Sequence, residues 1–222
     1  MTARGERPEE VVGGVGIAVM AKAPLPGHVK TRLCPPCTPG QAAEVAMACL
    51  LDTLDAVAAC SAVRRVLVLE GDAGAWVPEG FEVVPQAEGD LSERLGAAIV
   101  CVGAPLLLIG MDTPQLDGAL LDAAMAELES PGVDAVLGPA TDGGFWTLGV
   151  KVADPGCVVG VPMSRPDTGE RQRRRLEQLE LRVAQLPELR DVDTIEDALA
   201  VARVRPDRRL AVALADMGLL VP

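Results

Sequence analysis

Residues 106–116 read LLLIGMDTPQL, four consecutive aliphatic side chains followed by Gly110, Met111, Asp112, Thr113 and Pro114. A strand with one face in water alternates apolar and polar residues. An unbroken aliphatic run is covered on both faces, as a central strand of a parallel sheet is. Pro114 stands where the first turn of a following helix would begin, so the stretch predicts strand, loop and then a helix over about residues 115–129. A buried strand feeding a helix is the repeating unit of a doubly wound α/β domain, whose ligands bind outside the carboxyl ends of the strands.

The rest of the chain extends that unit in both directions. Val15 to Met20 is a second short apolar run, and it empties into AKAPLPGHVKTRL (residues 21–33). Thr38 and Gln41 have capping-box spacing. Ala43, Ala46, Met47, Leu50, Leu51, Leu54, Val57 and Ala58 follow at helical intervals, which predicts a long amphipathic helix. Val66 to Leu69 and Phe81 to Val84 read as strands, and Ser92 as the cap of a helix carrying Leu95, Ala98, Ile99 and Val102. Further strands are expected at Ala135 to Leu137, Phe145 to Val150 and Arg182 to Leu186. A basic helix is expected near Glu170 to Leu179, and a last helix opened by Thr194 with Asp197 three residues on. Helices and strands alternate throughout this reading, with no repeat and no linker, so the expectation is a single domain over residues 15–222 preceded by a flexible polar extension at 1–14.

Composition limits the function. Among 222 residues, 32 are acidic and 20 basic, a net charge of −12 that repels nucleic acid and anionic membrane surfaces. The uncharged stretch Ala97 to Met111 is broken by Gly103 and Pro105 and is too short to span a bilayer. The first ten residues, MTARGERPEE, have no apolar signal core, which leads us to expect a cytoplasmic protein. Of six cysteines only Cys34 and Cys37, in CPPC, have a motif spacing. With His28 as the single histidine, a closed zinc site lacks partners and the motif reads as a proline-stiffened turn.

Two loops leaving the buried strands hold the candidate chemistry. Lys22, Lys30 and Arg32, with Gly27 to admit a close ligand, make either a polyphosphate cradle or a solvated basic loop; no Walker motif is present. Asp112 is either a Mg²⁺ ligand beside a diphosphate or the cap of the next helix. Asp193, before a capped helix, reaches the same sheet edge if the strand preceding it runs parallel. Asp142-Gly143-Gly144 is either a hairpin turn or a place where an acceptor lies against the backbone with Asp142 as base. Gln86, Gly89 and Arg94 lie on a further strand-to-helix loop, where they contact a base or phosphate or simply surface the helix. His28 reads as a solvent-exposed loop residue.

In that order, AKAPLPGHVKTRL, QAEGDLSERL, LLLIGMDTPQL, GPATDGGFWTLGV and DVDTIEDAL resemble a small bacterial family of nucleotide-diphospho-sugar transferases, a domain of formerly unknown function that carries the label glycosyltransferase. The family is in turn similar to the phospholactate and molybdenum-cofactor guanylyltransferases. The resemblance covers about residues 15–200. It implies a GT-A fold with a mostly parallel, mixed seven-stranded sheet in which the Phe145 strand is antiparallel. It also implies Lys22, Gly27, Lys30 and Arg32 on phosphates, Asp112 and Asp193 on Mg²⁺ or Mn²⁺, Gln86 and Gly89 on the base side, and Asp142 to Gly144 at the second substrate. Phe145 where the family has Tyr, and Val161-Pro162-Met163-Ser164 where it has a Trp before Ser, depart from the pattern on the acceptor side. The expected activity is glycosyl transfer from a nucleotide sugar to a small acceptor. The alternatives are nucleotidyl transfer from a nucleoside triphosphate to a phosphorylated small molecule, with Lys30 and Arg32 on the departing pyrophosphate, and a nucleotide-binding protein without catalysis. Neither nucleic acid nor membrane is an expected partner, and a homodimer is left open.

Overall fold

A computed structural model describes residues 13–220. The polar extension expected at 1–14 lies, apart from its last two residues, outside that range. Seven strands form one sheet in the order β3-β2-β1-β4-β6-β5-β7. They are β1 Gly16–Lys22, β2 Arg64–Glu70, β3 Glu82–Pro85, β4 Leu106–Gly110, β5 Ala135–Pro139, β6 Phe145–Val150 and β7 Val183–Gln185. β1 pairs in parallel with β2 and β4, β2 with β3, and β5 with β7, while β6 runs antiparallel between β4 and β5. The reversed Phe145 strand implied by the GT-A resemblance is present.

Side-chain alternation along β1 separates the two sides of the sheet. Ile17, Val19 and Ala21 join a core with α1 (Pro39–Ala59) and α3 (Gly118–Glu129). Ala18 and Met20 join one with α2 (Leu91–Val102) and Leu176 of α4 (Thr168–Gln178). β4 is buried on both sides, as its unbroken apolar run requires. The opposite side of α1 packs on α5 (Ile195–Val204) and α6 (Arg209–Asp216), burying Cys49, Ala198, Leu210 and Leu214. Asp52, on α1 and 1% exposed, accepts the N–H groups of Arg209 and Leu210 at 3.1 Å each. It thereby satisfies two of the backbone donors that the start of α6 leaves open.

Several local expectations change. α2 is capped by Asp90, in a capping box with Glu93, and Ser92 sits inside the helix with its hydroxyl on Asp90. The carboxylate two residues earlier reaches the N3 amide, which left no capping duty for the serine. α3 begins at Gly118 under an Asp117 cap, three residues later than expected, because residues 114–115 form a turn first. Asp112 therefore caps no helix. Strict αβ alternation fails at β5–β6, a hairpin closed by residues 140–144 in which Ala140 N–H donates to Gly144 O and Gly143 N–H to Ala140 O. α6 had no counterpart in the sequence reading. Among the described residues no helix is long and apolar enough to cross a membrane.

Candidate active site

β1 and β4 are parallel neighbours, with Met20 opposite Gly110, so their carboxyl ends open side by side. From β1 the chain runs through the proline-rich loop to Lys30, whose backbone is left-handed (φ +49°), and then a single 3-10 turn at Thr31–Leu33. From β4 it passes directly to Asp112. The third contributor arrives from the far side. β7 continues as an isolated parallel bridge, Ala140 to Leu189, and the chain then crosses to the mouth of β4. There Val192 N–H donates to Asp112 O (2.9 Å), Thr113 Oγ1 to Asp191 Oδ1 (2.8 Å) and Gln115 Nε2 to Arg190 O (2.9 Å).

This convergence builds a charged knot. The Lys30 ammonium lies 2.7 Å from Asp112 Oδ1 and 3.5 Å from Asp193 Oδ1, and it donates to Val192 O; Arg32 Nη1 lies 3.3 Å from Asp193 Oδ2. The Lys30 side chain is 6% exposed. Burial works against its charge, but the Asp112 and Asp193 carboxylates outweigh that and raise its pKa. The Lys30–Asp112 contact is the shorter of the two ion pairs and is made to the buried Oδ1 of Asp112.

The knot forms one wall of a cleft of about 580 Å³, a size suited to a small organic ligand. The cleft is also lined by Asp142, Gly144 and Phe145 from the hairpin and by Met163, Ser164 and Arg165 from the segment before α4. Asp142 Oδ1 accepts Gly144 N–H at 2.8 Å, so the carboxylate is fixed by its own turn. A lateral extension of the cleft beside β2 and β3 is lined by Glu70, Gln86, Gly89 and Arg94.

A family described as "Uncharacterized protein conserved in bacteria (DUF2064)" matches residues 53–165. The chain belongs to that family. Among solved structures it is similar to a protein from Desulfovibrio desulfuricans G20 provisionally named a nucleotide-diphospho-sugar transferase, at 25% identity and a TM-score of 0.83 over 94% of this chain and 99% of that one. CMP:2-keto-3-deoxy-manno-octonic acid synthetase in complex with CTP shares the fold at 12% identity and a TM-score of 0.55, over 88% of this chain and 99% of its own. A cytidylyltransferase from Leptospira borgpetersenii serovar Hardjo-bovis does so at 13% identity and 0.54, over 92% of this chain and 95% of its own. No curated protein matches the chain.

In this DUF2064 chain Lys22, Lys30, Arg32, Asp112, Asp142, Gly144, Gln86, Arg94 and Asp193 all line the cleft. The basic loop is not freely solvated, because its central cation is buried on two carboxylates. Lys22 pairs with Glu70 at 3.1 Å, and Arg94 Nη1 reaches the same carboxylate at 2.7 Å. Burial opposes the Glu70 charge, yet the two cations hold its pKa below the usual carboxylate range. Gln86 turns its amide inward, donating to Ala21 O (2.8 Å) and Val68 O (3.2 Å), and its oxygen accepts from Arg94 Nη1 at 2.9 Å. Its structural duty is thus to orient Arg94. Gly89 (φ +111°) borders only the lateral extension, and His28 is exposed at the rim. Gly27 (φ +80°) serves the exposed turn before Lys30 and does not line the cleft. Gly143 faces away from the cleft lining, and a Cβ there would lie 1.9 Å from Pro166 O.

Asp191, which belongs to no motif of its own, joins the site only through the fold. It lines the cleft beside Asp112, and burial pushes its carboxyl up to about 7. The Thr113 hydrogen bond opposes that rise, while the Asp112 and Asp142 charges add to it. Its only sequence signal was its place two residues before Asp193.

Cys34 is half-buried, Cys37 is buried, and both are free thiols. Among the described residues no group of three or more His, Cys, Asp or Glu side chains is gathered tightly enough to hold a metal by protein atoms alone. Mg²⁺ does not need such a cage, since it is held by one or two carboxylates with waters and substrate phosphates. Asp112 and Asp193 suit that mode, because they already converge on one positive charge, the place a divalent cation would take.

Proposed function

We propose that the protein is a nucleotide-dependent transferase that moves a glycosyl group from a nucleotide-diphospho-sugar to a small acceptor. The observation that carries this reading is the convergence of Asp112, Asp193, Lys30 and Arg32 at the carboxyl ends of β1 and β4, in a cleft that Asp142 also lines. The name of the Desulfovibrio protein supports it. Mg²⁺ or Mn²⁺ held by Asp112 and Asp193 would neutralise the diphosphate. Lys30 and Arg32, gathered on the same two carboxylates, would supply the cationic donors for the phosphates. Asp142 takes the proton of the acceptor hydroxyl; its Oδ2 meets no donor among the described residues. In the transfer the bond from the acceptor oxygen to the sugar C1 forms, and the bond from C1 to the phosphate oxygen breaks, its electron pair leaving with the diphosphate.

Nucleotidyl transfer is the second reading. It is favoured by the single acid at the mouth of β4, with two cations placed to receive a departing pyrophosphate. Both readings are tested by incubating the protein with Mg²⁺ and panels of nucleotide sugars and nucleoside triphosphates, followed by thermal shift and product analysis. Diphospho-sugar preference supports the first reading, triphosphate preference the second, and binding of neither removes both. Asp112→Asn should abolish the Mg²⁺-dependent gain in nucleotide affinity while α3 stays folded under its Asp117 cap. Unchanged affinity in calorimetry would remove Asp112 from the site.

A further inference from the structure

Most cations that line the cleft are already neutralised. Lys30 and Arg32 share Asp112 and Asp193, and Lys22 and Arg94 share Glu70. Arg165 differs. It lines the same cleft, the residue is exposed, and among the described residues no carboxylate lies within ion-pair distance of it. The nearest acid in sequence, Asp167, is held in contact by Arg171, whose Nε donates to it at 2.7 Å; Arg165 acts on that carboxylate only through longer-range charge.

The backbone carrying Arg165 is held rigidly. Arg165 N–H donates to Thr168 Oγ1 (3.0 Å), Thr168 N–H donates back to Arg165 O (3.1 Å), and Thr168 Oγ1 donates to Pro162 O (3.0 Å). Thr168 is 4% exposed. Pro166 packs on Gly143, and Gly169 N–H donates to Gly143 O at 2.8 Å, which ties this segment to the turn that carries Asp142. Ser164, between Met163 and Arg165, is held in a left-handed conformation (φ +57°), a strained state for a residue with a Cβ. A fixed backbone presenting a guanidinium that, among the described residues, has no carboxylate in ion-pair contact, in a cleft also lined by Phe145 and Met163, is suited to an anion with an organic body.

We infer that the second substrate of this site is a small anion, a phosphomonoester or a carboxylate, and that Arg165 selects it by binding its charged group. The inference rests on the reading of the cleft as a nucleotide-dependent transferase site and adds the substrate class on the acceptor side. Asp142, on the turn to which this segment is tied, would then face the acceptor's reacting oxygen. In glycosyl transfer that oxygen is a hydroxyl beside the anionic group. In nucleotidyl transfer a phosphomonoester supplies the attacking oxygen itself.

The test is calorimetry on the full chain, first with the nucleoside diphosphate that gives the largest Mg²⁺-dependent thermal shift. At saturation with that nucleotide, so that Lys30 and Arg32 are occupied, the protein is titrated with sn-glycerol 3-phosphate, L-malate and, as a neutral control, glycerol. Wild type should bind one of the anions saturably and not glycerol, the preferred anion identifying phosphate or carboxylate as the source. Arg165→Gln should weaken that binding by at least about tenfold, with Arg165→Lys between the two. Unaltered melting and nucleotide affinity would show that both variants are folded. Anion binding that is absent in wild type, or equal in Arg165→Gln, overturns the inference and leaves the transferase reading in place. Failure of every nucleotide to bind overturns that reading and the inference with it.

Discussion

At the scale of single residues, Lys30 is the centre of the site's charge balance. Its ammonium compensates Asp112 and Asp193 when no other cation is present, so removing it leaves two neighbouring carboxylates facing each other with only Arg32 nearby. Lys30→Ala should therefore lower the melting temperature, and millimolar Mg²⁺ should restore more of the loss than it adds to wild type, because a divalent cation can replace the missing charge. Equal Mg²⁺ increments in the two proteins would mean that the carboxylates do not form a cation site. Asp191 gives a pH prediction. Its carboxyl is pushed up to about 7 in the folded protein, against about 3.9 for an unfolded chain, so the folded state binds the extra proton in between. Its contribution to stability is complete below about pH 4 and is lost as the pH rises toward 7. Asp191→Asn, which keeps a neutral side chain at every pH, should gain stability relative to wild type between pH 4.5 and pH 7.5 in urea unfolding with EDTA present. A pH-independent difference would show that Asp191 is ionised in the folded protein.

Between elements, the decisive contact joins the β5–β6 turn to the segment before α4. Gly143 has φ +88°, and a Cβ there would lie 1.9 Å from the Pro166 carbonyl oxygen. A Cβ on Gly169 would in turn lie 2.5 Å from Gly144 O. These glycines are explained by two backbones touching. Gly143→Ala should cost about 2 kcal/mol or more through strain and overpacking, and should impair acceptor-side binding more than nucleotide binding, because it separates Asp142 from Arg165. Chemical denaturation and paired titrations would check both parts; a loss smaller than 0.5 kcal/mol would indicate that the turn moves freely. The sequence showed the turn but not its neighbour, since Pro166 and Gly143 are joined by packing and by no local pattern. The caps were legible to different degrees. Thr38–Gln41 and Thr194–Asp197 form the capping boxes that their spacing predicts, whereas at α2 Asp90 competed successfully with Ser92. An Asp-Leu-Ser run offers two good caps, and only the path of the incoming chain selects one.

For the whole molecule, the sheet joins the two cores on its faces, and α1 carries burial on both of its sides, from Leu50 and Leu54 toward the sheet to Cys49 and Ala42 toward α5 and α6. The α5–α6 layer is thus anchored to the same helix that covers β1. Unfolding in urea should accordingly be one transition, with far-UV circular dichroism and tryptophan fluorescence coincident, since Trp146 of β6 is buried in the core shared with α1 and α3 and Trp76 packs against the same core. An early far-UV loss ahead of the fluorescence change would mean that the outer helical layer melts alone.

The amino-acid sequence by itself determined the strands, most helices and the α/β class, because buried strands must be apolar throughout and helices must repeat their apolar residues every three or four positions. It also marked Lys30, Asp112, Asp142 and Asp193, since cations and carboxylates in loops at strand ends have few structural reasons to be there. Hydrophobic pattern carries no strand direction, so the reversal of β6 was available only through family resemblance, and α6 was not anticipated. Tertiary structure alone decided that Asp112 caps no helix, that Lys30 is buried between two acids 82 and 163 positions away, that Asp191 is desolvated, and that Arg165 has no carboxylate within ion-pair distance among the described residues. Each of these depends on which loops the sheet order brings together and on how much water is left between them, and neither quantity is local in the chain.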